Sequence, residues 1–126
     1  MNVSVQSIHH ISLVVSDTAK AVAFYQDILG IPLADRPDLG FPGAWFQVGP
    51  QQIHLLEVPN PDPVKGRPEH GGRDRHTAFL VENLEEIEQR LELAAIRFTR
   101  SKSGRKAIFC RDYDGNGVEL IEAGKP

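Results

Sequence analysis

At 126 residues the chain is long enough to bury a sizeable core without disulfides or a structural metal, and 40% hydrophobic with 25% charged residues is ordinary globular composition. A net charge of -3 argues against nucleic acid as a partner. The longest apolar run, Ile11 to Val15, is interrupted by Ser12 and too short to cross a bilayer, the N-terminus lacks a signal peptide's basic start and apolar core, and Cys110 is the single cysteine, so a cytoplasmic protein with no membrane partner is expected.

Ile8 to Ser16 is β-branched and apolar and reads as a strand ending at Asp17, whose side chain caps a helix over Thr18 to Leu29. Ala21, Phe24, Tyr25 and Ile28 form its buried face, and Gly30 supplies the left-handed stop. Ile31 to Ala34 is a short strand. After the turn-rich stretch Arg36 to Gly43, Ala44 to Val48 and Gln51 to Val58 form a hairpin over Gly49 and Pro50, which completes a βαβββ module over about residues 7–58. Residues 59–75 hold four prolines, three glycines and no hydrophobic period, and read as a linker or functional loop.

The second module, about residues 76–122, repeats the order within what is expected to be one domain over residues 1–126. His76 to Val81 is a strand, and Asn83 caps a helix with Glu86 at its third position and Leu84, Ile87, Leu91 and Ala94 on its buried stripe. Arg97 to Arg100, Lys106 to Arg111 and Val118 to Glu122 supply three strands, the last two joined by the turn Asp112 to Gly117.

The repetition has a stride. His76 follows His10 by 66 positions, Asn83 follows Asp17 by 66, and Glu119 follows His54 by 65. Strand alternation puts His10 with Ser12 and Val14, opposite the apolar Ile11, Leu13 and Val15, and His76 keeps the same register in the second copy. His54 and Glu119 each interrupt an apolar closing strand, where a polar side chain is costly unless compensated. One divalent cation would compensate all four. Imidazole nitrogen with carboxylate oxygen suits zinc, nickel, manganese, cobalt or iron(II). His54 is either the fourth ligand or a group that orients ligands or contacts substrate.

Other residues carry weaker signals. Arg36, Lys65, Arg67, Arg73 and Arg75 flank the long loops, and Arg73 and Arg75, beside His76, are the favoured binders of an anionic substrate group. Phe41, Trp45 and Phe46 offer an apolar wall to a small-molecule substrate. Glu57 has the opposite parity to His54 and reads as a strand-end carboxylate rather than a base, His9 faces away from His10, and His70 reads as a loop residue. The turn from Asp112 mimics the start of a calcium loop, but Ala123 stands where a bidentate Glu is required, so calcium is rejected. Cys110 lacks a positioned base and reads as a buried thiol.

The runs His10-Ile-Ser-Leu-Val-Val-Ser-Asp17, Phe24-Tyr25, Leu29-Gly30 and Asp112-Tyr-Asp-Gly-Asn-Gly-Val-Glu119-Leu resemble the vicinal oxygen chelate superfamily, which includes glyoxalase I, methylmalonyl-CoA epimerase, fosfomycin-resistance proteins and extradiol dioxygenases. The resemblance spans Ile8 to Glu122. It implies an α+β fold in which two βαβββ modules form a curled, eight-stranded mixed sheet around one metal, with His10, His54, His76 and Glu119 at the ligand positions. Three-ligand members include the dioxygenases; glyoxalase I and the epimerases add a fourth ligand at the position of His54, commonly Glu or Gln. The resemblance therefore implies a metal-dependent, glyoxalase-like lyase or isomerase, with Glu119 moving the proton; separately, a homodimer with two sites is expected, each site closed within one chain or shared between subunits. The alternatives are an iron(II) dioxygenase, in which His54 contacts oxygen or substrate, and a non-catalytic ligand-binding or resistance protein.

Overall fold

The computed structural model describes residues 3–124. In it Asp17 ends strand β1 (His10–Val15) in extended backbone and accepts the Lys20 N–H, starting helix α1 (Thr18–Val22). The helix expected to run to Leu29 changes winding at Ala23: residues Ala23–Ile28 are π-helical, and the Leu29 N–H reaches back five residues to the Phe24 carbonyl at 3.1 Å. The wider turn accompanies the complete burial of two adjacent aromatics, Phe24 and Tyr25, whose rings meet edge to face at 4.8 Å. Gly30, at φ +76°, ends the element as expected.

Strands β2 (Leu33–Ala34), β3 (Gly43–Val48) and β4 (Gln51–Glu57) complete the first module. The second contains a 3-10 turn (Gly71–Arg73), β5 (His76–Val81), α2 (Leu84–Leu93), β6 (Thr99–Arg100), β7 (Ala107–Arg111) and β8 (Gly117–Glu122). The fold is α+β, with the eight strands in two four-stranded mixed sheets of identical topology, β1-β4-β3-β2 and β5-β8-β7-β6. The chain divides after Pro59 into two compact units, so the proline-rich segment belongs to the second. There Arg111 Nη2 donates to the Pro68 carbonyl at 2.6 Å, and His70 shares a 2.7 Å hydrogen bond with Thr99.

In each module the closing strand lies centrally, parallel to the opening strand and antiparallel to the third. The first sheet buries Val15, Ala44, Phe46, Ile53 and Leu55, together with Phe24 and Tyr25. The second buries Phe79, Ile108, Cys110, Val118 and Leu120, with Leu84, Ile87 and Leu91 of α2. The opposite face of each sheet carries the candidate ligands. Register makes Ser12, His54 and Trp45 lateral neighbours in the first module and Ala78, Glu119 and Phe109 lateral neighbours in the second.

Candidate metal centre

In the first module His10 and His54 stack with ring centroids 4.0 Å apart, and the indole of Trp45 stacks on the other side of His54, also at 4.0 Å. His54 Nε2 lies 2.9 Å from Gln52 Oε1, an acceptor, so Nε2 carries the proton and Nδ1 keeps its lone pair. The Gln52 amide nitrogen donates to Gln47 Oε1 at 2.9 Å, and the Gln47 amide donates to the Gly49 carbonyl at 2.8 Å, fixing the direction of the whole chain. Burial holds the His54 pKa below the ordinary imidazole value, reinforced by His10, His9 and Arg36, which favours the neutral form that a metal requires. His10 is exposed and shares a 2.8 Å contact between its Nδ1 and that of His9, in which one ring donates and the other accepts.

In the second module the geometry is sharper. His76 Nδ1 lies 2.8 Å from the Asp74 carbonyl oxygen; a carbonyl only accepts, so Nδ1 is protonated and, in the neutral ring, Nε2 carries a lone pair. That nitrogen faces Glu119 Oε1 at 3.2 Å. Glu119 is only 2% exposed, and its second oxygen, Oε2, is buried without a hydrogen-bond partner, its nearest cation being Arg105 Nη2 at 3.4 Å. A lone pair and a carboxylate oxygen brought face to face repel unless a proton or a metal cation lies between them. The ligating histidine that donates its other N–H to a backbone carbonyl is the usual supporting arrangement of a metal site. The donor set of this pair therefore fits a divalent ion. Among the described residues no three or more His, Cys, Asp or Glu side chains form a ready metal cluster, and each module by itself supplies one pair.

The remaining candidates are dispersed. Trp45 lies on the ligand face, but Phe46, the next residue on the strand, points the other way and is fully buried 5.8 Å from the Tyr25 ring, so the two cannot wall one pocket together. Arg73 is exposed on the 3-10 turn, and Arg75 is tied to Asp62 at 2.7 Å. His70 and His76 both meet the Phe109 ring edge to face, at 4.9 and 5.0 Å. Sequence reasoning overlooked Gln52, although its parity with His54 was available as a signal, and Gln47, which only the β3–β4 register brings opposite Gln52. It also overlooked Arg105, which no spacing rule connects to Glu119.

Residues 7–120 match the family model of the glyoxalase/bleomycin resistance protein/dioxygenase superfamily. The chain is 30% identical over 120 residues to Glyoxylase I 4 of Arabidopsis thaliana, covering 90% of this chain and 69% of that one. A crystal structure of a glyoxalase family protein from Bacillus anthracis superposes with a TM-score of 0.77 at 25% identity, covering 98% of this chain and all of the other (100%). The fosfomycin resistance protein FosX of Listeria monocytogenes, crystallised as a variant with Mn(II) and 1S,2S-dihydroxypropylphosphonic acid, shares the fold with a TM-score of 0.75 at 20% identity over 96% of this chain and 95% of its own.

Proposed function

This chain belongs to the glyoxalase/bleomycin resistance protein/dioxygenase superfamily, and from that premise we propose that it is a metal-dependent, glyoxalase-like lyase or isomerase acting on a small oxygenated metabolite. His10, His54, His76 and Glu119 hold its single divalent ion, and Glu119 moves the proton. The observation that supports this best is the opposition of His76 Nε2 and Glu119 Oε1 at 3.2 Å, with Glu119 Oε2 buried and without a hydrogen bond, 3.4 Å from Arg105. Such a site calls for a cation.

A divalent ion bound there supplies a Lewis acid for two adjacent substrate oxygens, worth several kcal/mol of stabilisation to negative charge developing on them. The protein's own groups do the rest. Glu119 Oε2, with no hydrogen bond to break, takes the proton from the substrate carbon and returns it to the neighbouring one, which a buried carboxylate does efficiently when the acceptor atom is within hydrogen-bond reach. Arg105, more than half exposed, sits 3.4 Å from that oxygen and can swing aside as substrate enters. The glutamine chain behind His54 holds its tautomer, and Trp45 covers its ring from water. We assign the working assembly as a cytoplasmic homodimer with two such sites.

The test uses the full chain purified without added chelator. Metal analysis is expected to find one divalent ion per chain, and the hemithioacetal of a 2-oxoaldehyde and a thiol is expected to turn over, with both properties lost in His76→Ala. Ring cleavage of a catechol under reducing conditions, without hemithioacetal turnover, would transfer the assignment to a dioxygenase. Protein that takes up no divalent metal at neutral or mildly alkaline pH would remove the proposal altogether.

A further inference from the structure

We propose that Arg36 anchors a terminal oxyanion of the substrate, a carboxylate or a phosphoryl-type group, in a small cavity that it shares with Trp45 and His54. The inference rests on the reading of His54 as part of an enzyme's metal centre, and names the chemical class of substrate that centre would receive.

Three half-buried arginines occur among the described residues: Arg36, Arg67 and Arg111. Arg67 and Arg111 are neutralised together by Asp74, at 3.2 and 2.8 Å. Among the described residues no carboxylate pairs with Arg36. Its Nη2 donates to the Phe41 carbonyl at 2.8 Å, its guanidinium carbon lies 5.1 Å from the Phe41 ring, and its Nε is buried with no partner at all. A guanidinium nitrogen withdrawn from water and left without an acceptor is destabilising, and such groups in folded proteins call for an explanation.

The surroundings supply one. Arg36 lines a cavity of about 70 Å³ together with Ser12, Leu39, Phe41, Trp45 and His54, on the same sheet face as the candidate ligands. That volume is roughly that of two water molecules in the liquid, which suits a carboxylate or phosphoryl head with the rest of the molecule outside. The backbone is shaped to receive the arginine: a Cβ on Gly43 would run into the Leu55 carbonyl and stand 3.1 Å from Arg36 Nη2, so glycine leaves the guanidinium room to lie over the strand. A guanidinium presents its N–H groups as a planar fork matched to oxyanions, and an apolar rim of Leu39, Phe41 and Trp45 strengthens that pairing by excluding water. An anionic head held here would lay the adjoining carbon chain beside His54.

The chain's only tryptophan is Trp45, so its fluorescence reports on this cavity. Full-length protein stripped of metal by a chelator is titrated with inorganic phosphate and, separately, with acetate, at constant ionic strength. A saturable change with at least one anion is expected; saturation by phosphate alone assigns a phosphoryl-type head, and by acetate alone a carboxylate. Arg36→Met should weaken that response about tenfold or more, the usual scale for removing a charge-assisted pair, while Arg36→Lys should fall between. Should Arg36→Met fold poorly, judged by its thermal transition, Arg36→Gln takes its place. No saturable response to either anion, or an Arg36→Met titration matching the native one, would overturn the inference. Metal content read on each preparation before the chelator is added separates the two readings: an anion response in protein that never binds metal leaves Arg36 its role and removes the metal centre, whereas full metal content without an anion response does the reverse.

Discussion

Glu57, the last residue of β4, accepts two hydrogen bonds from Thr18 on one carboxylate oxygen, from the backbone N–H at 2.8 Å and from the hydroxyl at 3.2 Å. At the corresponding place in the second module Glu122 accepts the Leu84 N–H at 3.2 Å. With Asp17 bonded to the Lys20 N–H and Asn83 to the Glu86 N–H, each helix start has two of its free donors satisfied and a carboxylate beside its positive end. The stride that relates the candidate ligands thus also relates a purely structural device, in which the closing strand of each module fastens the helix that precedes it.

Replacing Glu57 by Ala is therefore expected to lower stability by about 1 kcal/mol, the usual cost of losing a helix cap. Glu122→Ala should act in the same direction. The check is a shift in the midpoint of denaturant unfolding with metal content unchanged. A loss of bound metal in Glu57→Ala would instead tie this carboxylate to the site.

Much of this was legible from alternation alone. Period two placed His10 with Ser12 and Val14 and gave Glu57 the parity opposite to His54, and it would have separated Trp45 from Phe46 had it been applied to that pair. The same rule leads from His54 to Gln52, two residues back on the strand. The π winding after Val22 was not legible, because the apolar spacing of Ala21, Phe24, Tyr25 and Ile28 serves an α-helix equally well. Nor were the partners brought by loops. Arg105 reaches Glu119, and Arg36 reaches the His54 face, through tertiary packing that no local pattern encodes. The stride found four residues of ligand chemistry, and the hydrogen bonds then set the second pair apart by showing which nitrogen of His76 is free.

Cys110 is expected to be inert. It is buried on β7 on the face opposite Glu119, and burial, with Asp112 adding to it, pushes its thiol pKa up to about 12. The thiolate is the reactive form, so native protein at about pH 8 should resist thiol reagents and react only on unfolding. Rapid stoichiometric labelling of the native protein would contradict this burial.

Asp74 should make the second module sensitive to acid. It accepts from Arg111 at 2.8 Å, from the Arg75 N–H at 2.8 Å and from Arg67 at 3.2 Å, and these bonds, that of Arg111 foremost, hold its carboxyl below the ordinary value of 3.8. The folded state prefers the ionised form. Its contribution is therefore complete above about 3.8, the unfolded value, and is lost as pH falls through the lower native value. Asp74→Asn should remove this acid step and, by leaving two half-buried guanidinium groups unneutralised, destabilise the protein at neutral pH by about 2 kcal/mol. Unfolding midpoints at neutral pH and in the acid range decide the matter; an unchanged acid limb would exclude Asp74 as its source.

Glu119→Gln should change stability in opposite directions with and without metal. In metal-free protein with a neutral His76 ring, the carboxylate faces the lone pair of Nε2 at 3.2 Å, and its buried Oε2 accepts no hydrogen bond, Arg105 standing 3.4 Å away. A glutamine of the same length brings an N–H₂ group that can donate to Nε2, and it removes a charge from a residue only 2% exposed, so the metal-free variant should be more stable than native by about 1 kcal/mol. Adding a divalent ion should reverse the order. The native chain gains stability by binding the ion in its folded state, whereas an amide oxygen without charge is the poorer ligand and gives a smaller shift. Paired thermal melts, with chelator and with excess metal, give both signs in one experiment. A variant less stable than native under both conditions would mean that the Glu119 carboxylate supports the fold without any metal ion.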